Sequence, residues 1–179
     1  MGKEKFQEFL RSIEEEERRE KSIDWNKKKK EFLEAVKEFY SFVEECLEPY
    51  REKVSISYEP IEITEEKLGT YSCEKMIIEI GNRKATFTPI GTILIAASGR
   101  IDLEGPSGKV KIVRVPENAS APAIFIIEES TLSGKKALSG KRQENTAKDV
   151  WKIATPPPGI RYIDLNCDTF LDVLMQVVK

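Results

Sequence analysis

The sequence contains no histidine. That absence removes the side chain that titrates near neutrality, the commonest general base and the usual zinc ligand. Cysteine is scarce: Cys46, Cys73 and Cys167 are odd in number and far apart, with no C-x-x-C spacing for a zinc site or a redox dithiol. They read as small buried thiols in a reduced, cytoplasmic chain. Without a neighbouring imidazole, neither Cys73 nor Cys167 is expected to act as a nucleophile.

Long apolar runs are missing too. Runs such as Ile93 to Ala97 are far shorter than the ~20 residues that span a bilayer, and no apolar leader opens the chain. Phe6 and Gln7 stand where a myristoylation signal wants Ser or Thr. G-x-G-x-x-G, H-E-x-x-H and G-x-S-x-G do not occur, which excludes dinucleotide, zincin and α/β-hydrolase readings by motif. Nor is there an excess of one charge: 29 Lys and Arg against 31 Asp and Glu leave a net charge of -2. This balance weighs against attraction of the whole molecule to nucleic acid or an anionic membrane.

What is present suits one globular domain with a helical appendage: 179 residues, 40% hydrophobic and 34% charged. The pattern changes near Pro49. Phe6, Phe9, Leu10 and Ile13 fall on one face of a first helix, and Ser22 or Asp24 can cap a second. That second helix carries the stronger stripe. Trp25, Phe32, Val36, Phe39, Val43 and Cys46 follow a three-four spacing, widened by Leu33, Tyr40 and Leu47. So broad a stripe must be covered by the first helix, by a sheet or by another protomer.

From Val54 the period becomes two. Val54, Ile56 and Tyr58 alternate, and Ile61 and Ile63 resume with opposite parity after Pro60, which predicts an edge strand with a bulge. Gly81-Asn82 makes a hairpin that sets Ile78 opposite Ala85 and Met76 opposite Phe87. A long strand is expected from Ile93 to Leu103, turning at Gly105 to Gly108 so that Leu103 faces Val110 and Ile101 faces Ile112. Further strands are expected at Ala123 to Ile127, Trp151 to Ala154 and Arg161 to Leu165. A last helix, capped near Asn166 or Asp168, puts Phe170, Leu171, Leu174, Val177 and Val178 on one face. The predicted class is α+β: a helical hairpin over residues 1–50, then an antiparallel meander of seven to eight strands with a packed C-terminal helix over 51–179, together one structural unit.

Three words of the sequence carry a resemblance: Asp24-Trp25-Asn26-Lys27-Lys28-Lys29, Leu68-Gly69-Thr70-Tyr71 and Trp151-Lys152-Ile153-Ala154-Thr155-Pro156-Pro157-Pro158. With the C-terminal helix, they are similar to an uncharacterised bacterial protein family of unknown function. The resemblance implies a bacterial, soluble protein and carries no functional residue over.

Candidate sites are few. Lys27, Lys28 and Lys30, with Lys29, oppose the macrodipole at the start of the second helix. Their sharper reading is an anion site, and the plainer one is pairing with Glu14 to Glu17 across a hairpin. Lys135, Lys141 and Arg142 sit in a Ser-, Gly- and Lys-rich segment, Ser130 to Asp149. Its Ser-Gly-Lys doublet misses phosphate-loop spacing, because five residues separate Gly134 from Gly140 and Arg142 replaces the Ser or Thr. Asp102 and Glu104 are weak metal candidates, more simply outward-facing strand residues; no metal and no cofactor is expected. The function expected is a non-enzymatic binding or assembly module acting through the helical hairpin or a sheet face. Its partner would be another protein or a second copy, met through helix 25–47. The alternative is a small-molecule or nucleotide-handling protein with an anion site under the basic loop 130–149. Few aromatics accompany either lysine cluster, which weighs against nucleic acid.

Overall fold

The structure is a computed structural model describing residues 2–92, 97–122 and 147–179. Two helices open it: α1 (Gly2–Lys21) and α2 (Trp25–Leu47), followed by a single 3-10 turn, Glu48–Tyr50. Asp24 caps α2 by accepting the Lys27 amide, which satisfies one of the free donors at a helix start. Seven strands follow: β1 (Val54–Glu65), β2 (Gly69–Ile80), β3 (Arg83–Gly91), β4 (Gly99–Gly105), β5 (Gly108–Pro116), β6 (Asp149–Ala154) and β7 (Tyr162–Asp164). Their order in the sheet is their order in the chain, and every pairing is antiparallel. The last helix, α3 (Cys167–Val178), starts in a capping box between Asn166 and Thr169. The predicted α+β meander with a packed C-terminal helix is therefore the fold.

Alternation and turn chemistry set the registers where the prediction put them. Ile78 pairs with Ala85 and Met76 with Phe87 across Gly81-Asn82, where Gly81 has φ 62, a value that suits glycine. Leu103 pairs with Val110 and Ile101 with Ile112. The bulge expected at Pro60 does not form. Instead β1 and β2 pair without interruption from Val54↔Ile80 to Glu65↔Gly69, and the register shift falls between Pro89 and Gly91. β3 pairs with only the Met76–Ile80 part of β2. Beyond that point β1 and β2 continue as a two-stranded ribbon, which twists more than a wide sheet. Opposite parities, Val54 and Ile56 then Ile63 and Tyr71, can thus reach one core without an inserted residue. The long fourth strand begins at Gly99; Ile93 and Ile95, like the strand expected at Ala123 to Ile127, lie outside the described residues.

The core lies between the inner sheet face and the two helices α2 and α3. Phe39 of α2 meets Phe87 of β3 edge-on at 5.4 Å and Trp151 of β6 at 5.8 Å, while Phe170 of α3 lies 6.1 Å from Phe87 and 6.0 Å from Phe42. Polar tips find partners at the edges of this cluster: the Trp151 indole donates to the Ala35 carbonyl at 3.0 Å, and the Tyr40 hydroxyl to the Glu74 carbonyl at 2.7 Å. Burial pushes the Tyr40 hydroxyl far above its ordinary pKa, so it remains a donor. Cys46 and Cys167 are joined in a disulfide linking the end of α2 to the start of α3. This corrects the expectation of three reduced thiols: two cysteines 121 residues apart are made neighbours by helix packing that spacing alone does not reveal. Cys73 is the free thiol among the described residues, and burial raises its pKa.

The apolar stripe of α2 is spent inside the chain. Phe32, Val36, Phe39, Tyr40, Val43, Cys46 and Leu47 are all buried in the shared core, so a second protomer cannot use that stripe as its contact. By contrast, no residue of α1 is buried.

Candidate functional site

The outer face of the sheet holds a polar cluster around Asp102. Asp102 of β4 is only 3% exposed; it accepts from Arg100 Nε at 2.6 Å and Arg100 Nη2 at 2.7 Å, and Lys109 Nζ lies 3.0 Å away. Burial alone would raise the Asp102 pKa, but hydrogen bonds and charge from Arg100 and Lys109 outweigh it and hold the carboxyl below its usual range. Asp102 faces outward, as strand alternation predicts, yet it is buried there, with its oxygens taken by Arg100 of its own strand and Lys109 of β5. Glu104 remains exposed, with Lys109 Nζ 3.9 Å away. Among the described residues no group of three His, Cys, Asp or Glu is placed to hold a metal ion. An open groove of about 550 Å³ runs beside this cluster, lined by Arg83, Thr86, Thr88, Glu104 and Pro106 among others. It offers alternating charges and hydroxyls and no activated nucleophile.

The lysines at the start of α2 are separated by their own helix. Lys27 lies 4.0 Å from Glu31, Lys30 lies 4.0 Å from Glu34, and the Lys28 ammonium sits 5.3 Å from the centre of the Trp25 ring. No ion pair joins these lysines to Glu14 to Glu17; the acidic partner that α1 does offer is Glu20, which meets Lys67. Partners within α2 are one turn away and need no second helix. With Asp24 already on the Lys27 amide, a carboxylate occupies the place an anion would take. Lys135, Lys141 and Arg142 lie outside the described residues.

Among the described residues, α1 presents a further surface. Phe6, Phe9 and Leu10 are 59%, 56% and 44% exposed, and the two phenyl rings lie 6.3 Å apart. With Ile13 they make a continuous apolar stripe over two turns. An isolated helix of this length is marginal in water, and helices in proteins normally draw stability from packing such a face. At its C-terminal end α1 meets the body at one corner, where Lys67 of the β1–β2 loop lies 3.6 Å from Glu20. A shallow depression of about 290 Å³ opens there, lined by Glu17, Glu20, Lys21, Ile23, Trp25 and Lys67.

Both stripes were legible as sequence patterns, but not which one would stay open. The stronger stripe attracted the expectation of a partner and turned out to be core; the weaker one stands free. A relative contrast in composition was the available signal: α1 is bracketed by dense charge, including Glu14 to Glu17, which suits a face reaching into solvent. The carboxylate of Glu65 was not singled out beforehand; it accepts from the Tyr71 hydroxyl and from the Thr92 amide and hydroxyl, tying the ribbon to the end of β3. Among the described residues, no helix is long and apolar enough to cross a membrane. No family model, no curated protein and no solved structure matches this chain.

Proposed function

We propose that the protein is a non-enzymatic binding or assembly module whose working surface is the projecting helix α1. The observation that carries this reading is a 20-residue helix with nothing buried that nevertheless displays Phe6, Phe9, Leu10 and Ile13 in one stripe. Exposed apolar patches of this kind mark interaction sites in soluble proteins. The partner is a protein surface or a second copy of the chain. The near-neutral charge of α1, six basic and seven acidic residues over Gly2–Lys21, offers no net attraction to nucleic acid or anionic lipid.

A photo-crosslinking side chain placed at Phe9, compared with one at Glu15 on the opposite face, tests this in cells of origin. A covalent protein adduct from position 9 and none from position 15 is expected. Absence of any adduct from position 9 would end the reading. A bacterial, cytoplasmic setting belongs to the same proposal, and the Cys46–Cys167 disulfide is what tests the location. Disulfides persist in oxidising compartments, so trapping thiols in intact cells and finding Cys46 and Cys167 fully oxidised would place the protein elsewhere.

A further inference from the structure

The charges beside the α1 stripe are not arranged at random. With about 100° between successive residues, Lys5 and Glu16 flank the stripe on the Phe9 side, and Lys3 and Glu14 flank it on the Leu10 side. Each flank therefore carries a cation near the N-terminus and an anion about three turns later. We infer that α1 pairs with α1 of a second copy, helix antiparallel to helix, about a two-fold axis passing between Phe9 and Leu10. This rests on the reading of α1 as a binding surface and names its occupant.

Antiparallel packing brings like flanks together, and in this register four things coincide. Phe6 lies over the second copy's Ile13; Phe9 and Leu10 each meet their own equivalents. On one flank Lys5 comes within two residues, about 3 Å of axial rise, of the second copy's Glu16. On the other flank Lys3 reaches the second copy's Glu14 with the same small offset. Two-fold symmetry repeats both, giving four opposite-charge pairs around eight apolar side chains, the isologous arrangement of most homodimers. A parallel pair would instead set Lys5 against Lys3 and Glu16 against Glu14, so the charges select against it. In this register the second copy's Gly2 falls level with Glu17, near the corner formed by Ile23, Trp25 and Lys67, and the two sheet domains lie at opposite ends of the helix pair.

The test uses full-length chains and sedimentation equilibrium at concentrations up to about 1 mM, the range in which a two-turn stripe can associate. The parent is expected to dimerise. K3E/K5E and E14K/E16K, each alone, are expected to lose at least about tenfold in dimer affinity, a change of 1.4 kcal/mol. Mixed in equal amounts, the two variants should recover it, since every facing pair is again opposite in sign. The quadruple swap K3E/K5E/E14K/E16K should dimerise like the parent. Unchanged thermal melting of all variants checks that the sheet domain is intact, because no altered residue touches the core. A parent that stays monomeric overturns the inference, and so does a parent dimer that ignores both charge variants. The Phe9 crosslink separates the two levels: an adduct twice the mass of the chain supports self-pairing, one with a different protein removes it while leaving α1 a binding surface, and none removes both.

Discussion

Gly105 lies directly beneath the carbonyl of Val177: a Cβ at that position would come 2.4 Å from the Val177 oxygen. The same oxygen accepts the Ser107 amide at 2.9 Å. The turn between β4 and β5 thus supplies the hydrogen bond that the last turn of α3 lacks within its own helix, and glycine allows the approach.

Gly105→Ala is therefore expected to displace α3 and lower stability by about 1–3 kcal/mol. Gly159→Ala, where an added Cβ meets nothing within 4 Å, should be close to neutral. Denaturant melts of the two variants check this, and equal midpoints would show that α3 is not seated on the turn.

The disulfide between Cys46 and Cys167 closes a separation of 121 residues. Cross-links over long loops restrict the unfolded chain most, so removing this one with Cys46→Ser and Cys167→Ser should cost about 2–4 kcal/mol. Thermal melting with and without a reductant reads the same quantity on the parent. No downward shift on reduction would mean that the link adds nothing to stability.

Asp102 makes stability depend on pH in a stated direction. Its folded pKa is depressed by Arg100 and Lys109, so the unfolded chain takes up the proton first as pH falls. The contribution is present above the ordinary carboxylate value of about 4 and is lost as pH drops through the lower folded value. Asp102→Asn should lose about 1–3 kcal/mol at neutral pH, mostly through Arg100, because Lys109 is half exposed and screened. Its stability should also fall less steeply than the parent's below about pH 4. Parallel acid limbs for the two proteins would exclude the pairing as the cause.

Removal of residues 2–22 should leave the melting midpoint of the body nearly unchanged, since no α1 side chain is buried. Phe39→Ala, in the centre of the aromatic cluster, should instead cost about 3–5 kcal/mol. Calorimetry distinguishes the two, and a large loss on truncation would place α1 inside the cooperative unit.

Much of this molecule is written locally in its residues. Alternation from Val54 onward, the Gly81-Asn82 turn and the Gly105–Gly108 reversal define an antiparallel meander and its registers, because side-chain period and turn geometry act over neighbouring residues. Asp24 and Asn166 mark helix starts for the same reason: a cap needs only its own next turn. Three things were decided only by tertiary structure. Which apolar stripe is core depended on the sheet folding against α2 and α3, a long-range event that left α1 uncovered. The burial of Asp102 depended on strands covering β4 from both sides, although its two cations, Arg100 two residues before it and Lys109 across the adjoining turn, are local. The meeting of Cys46 and Cys167 depended on the ends of two helices arriving together, a distance in space that the distance along the chain does not encode.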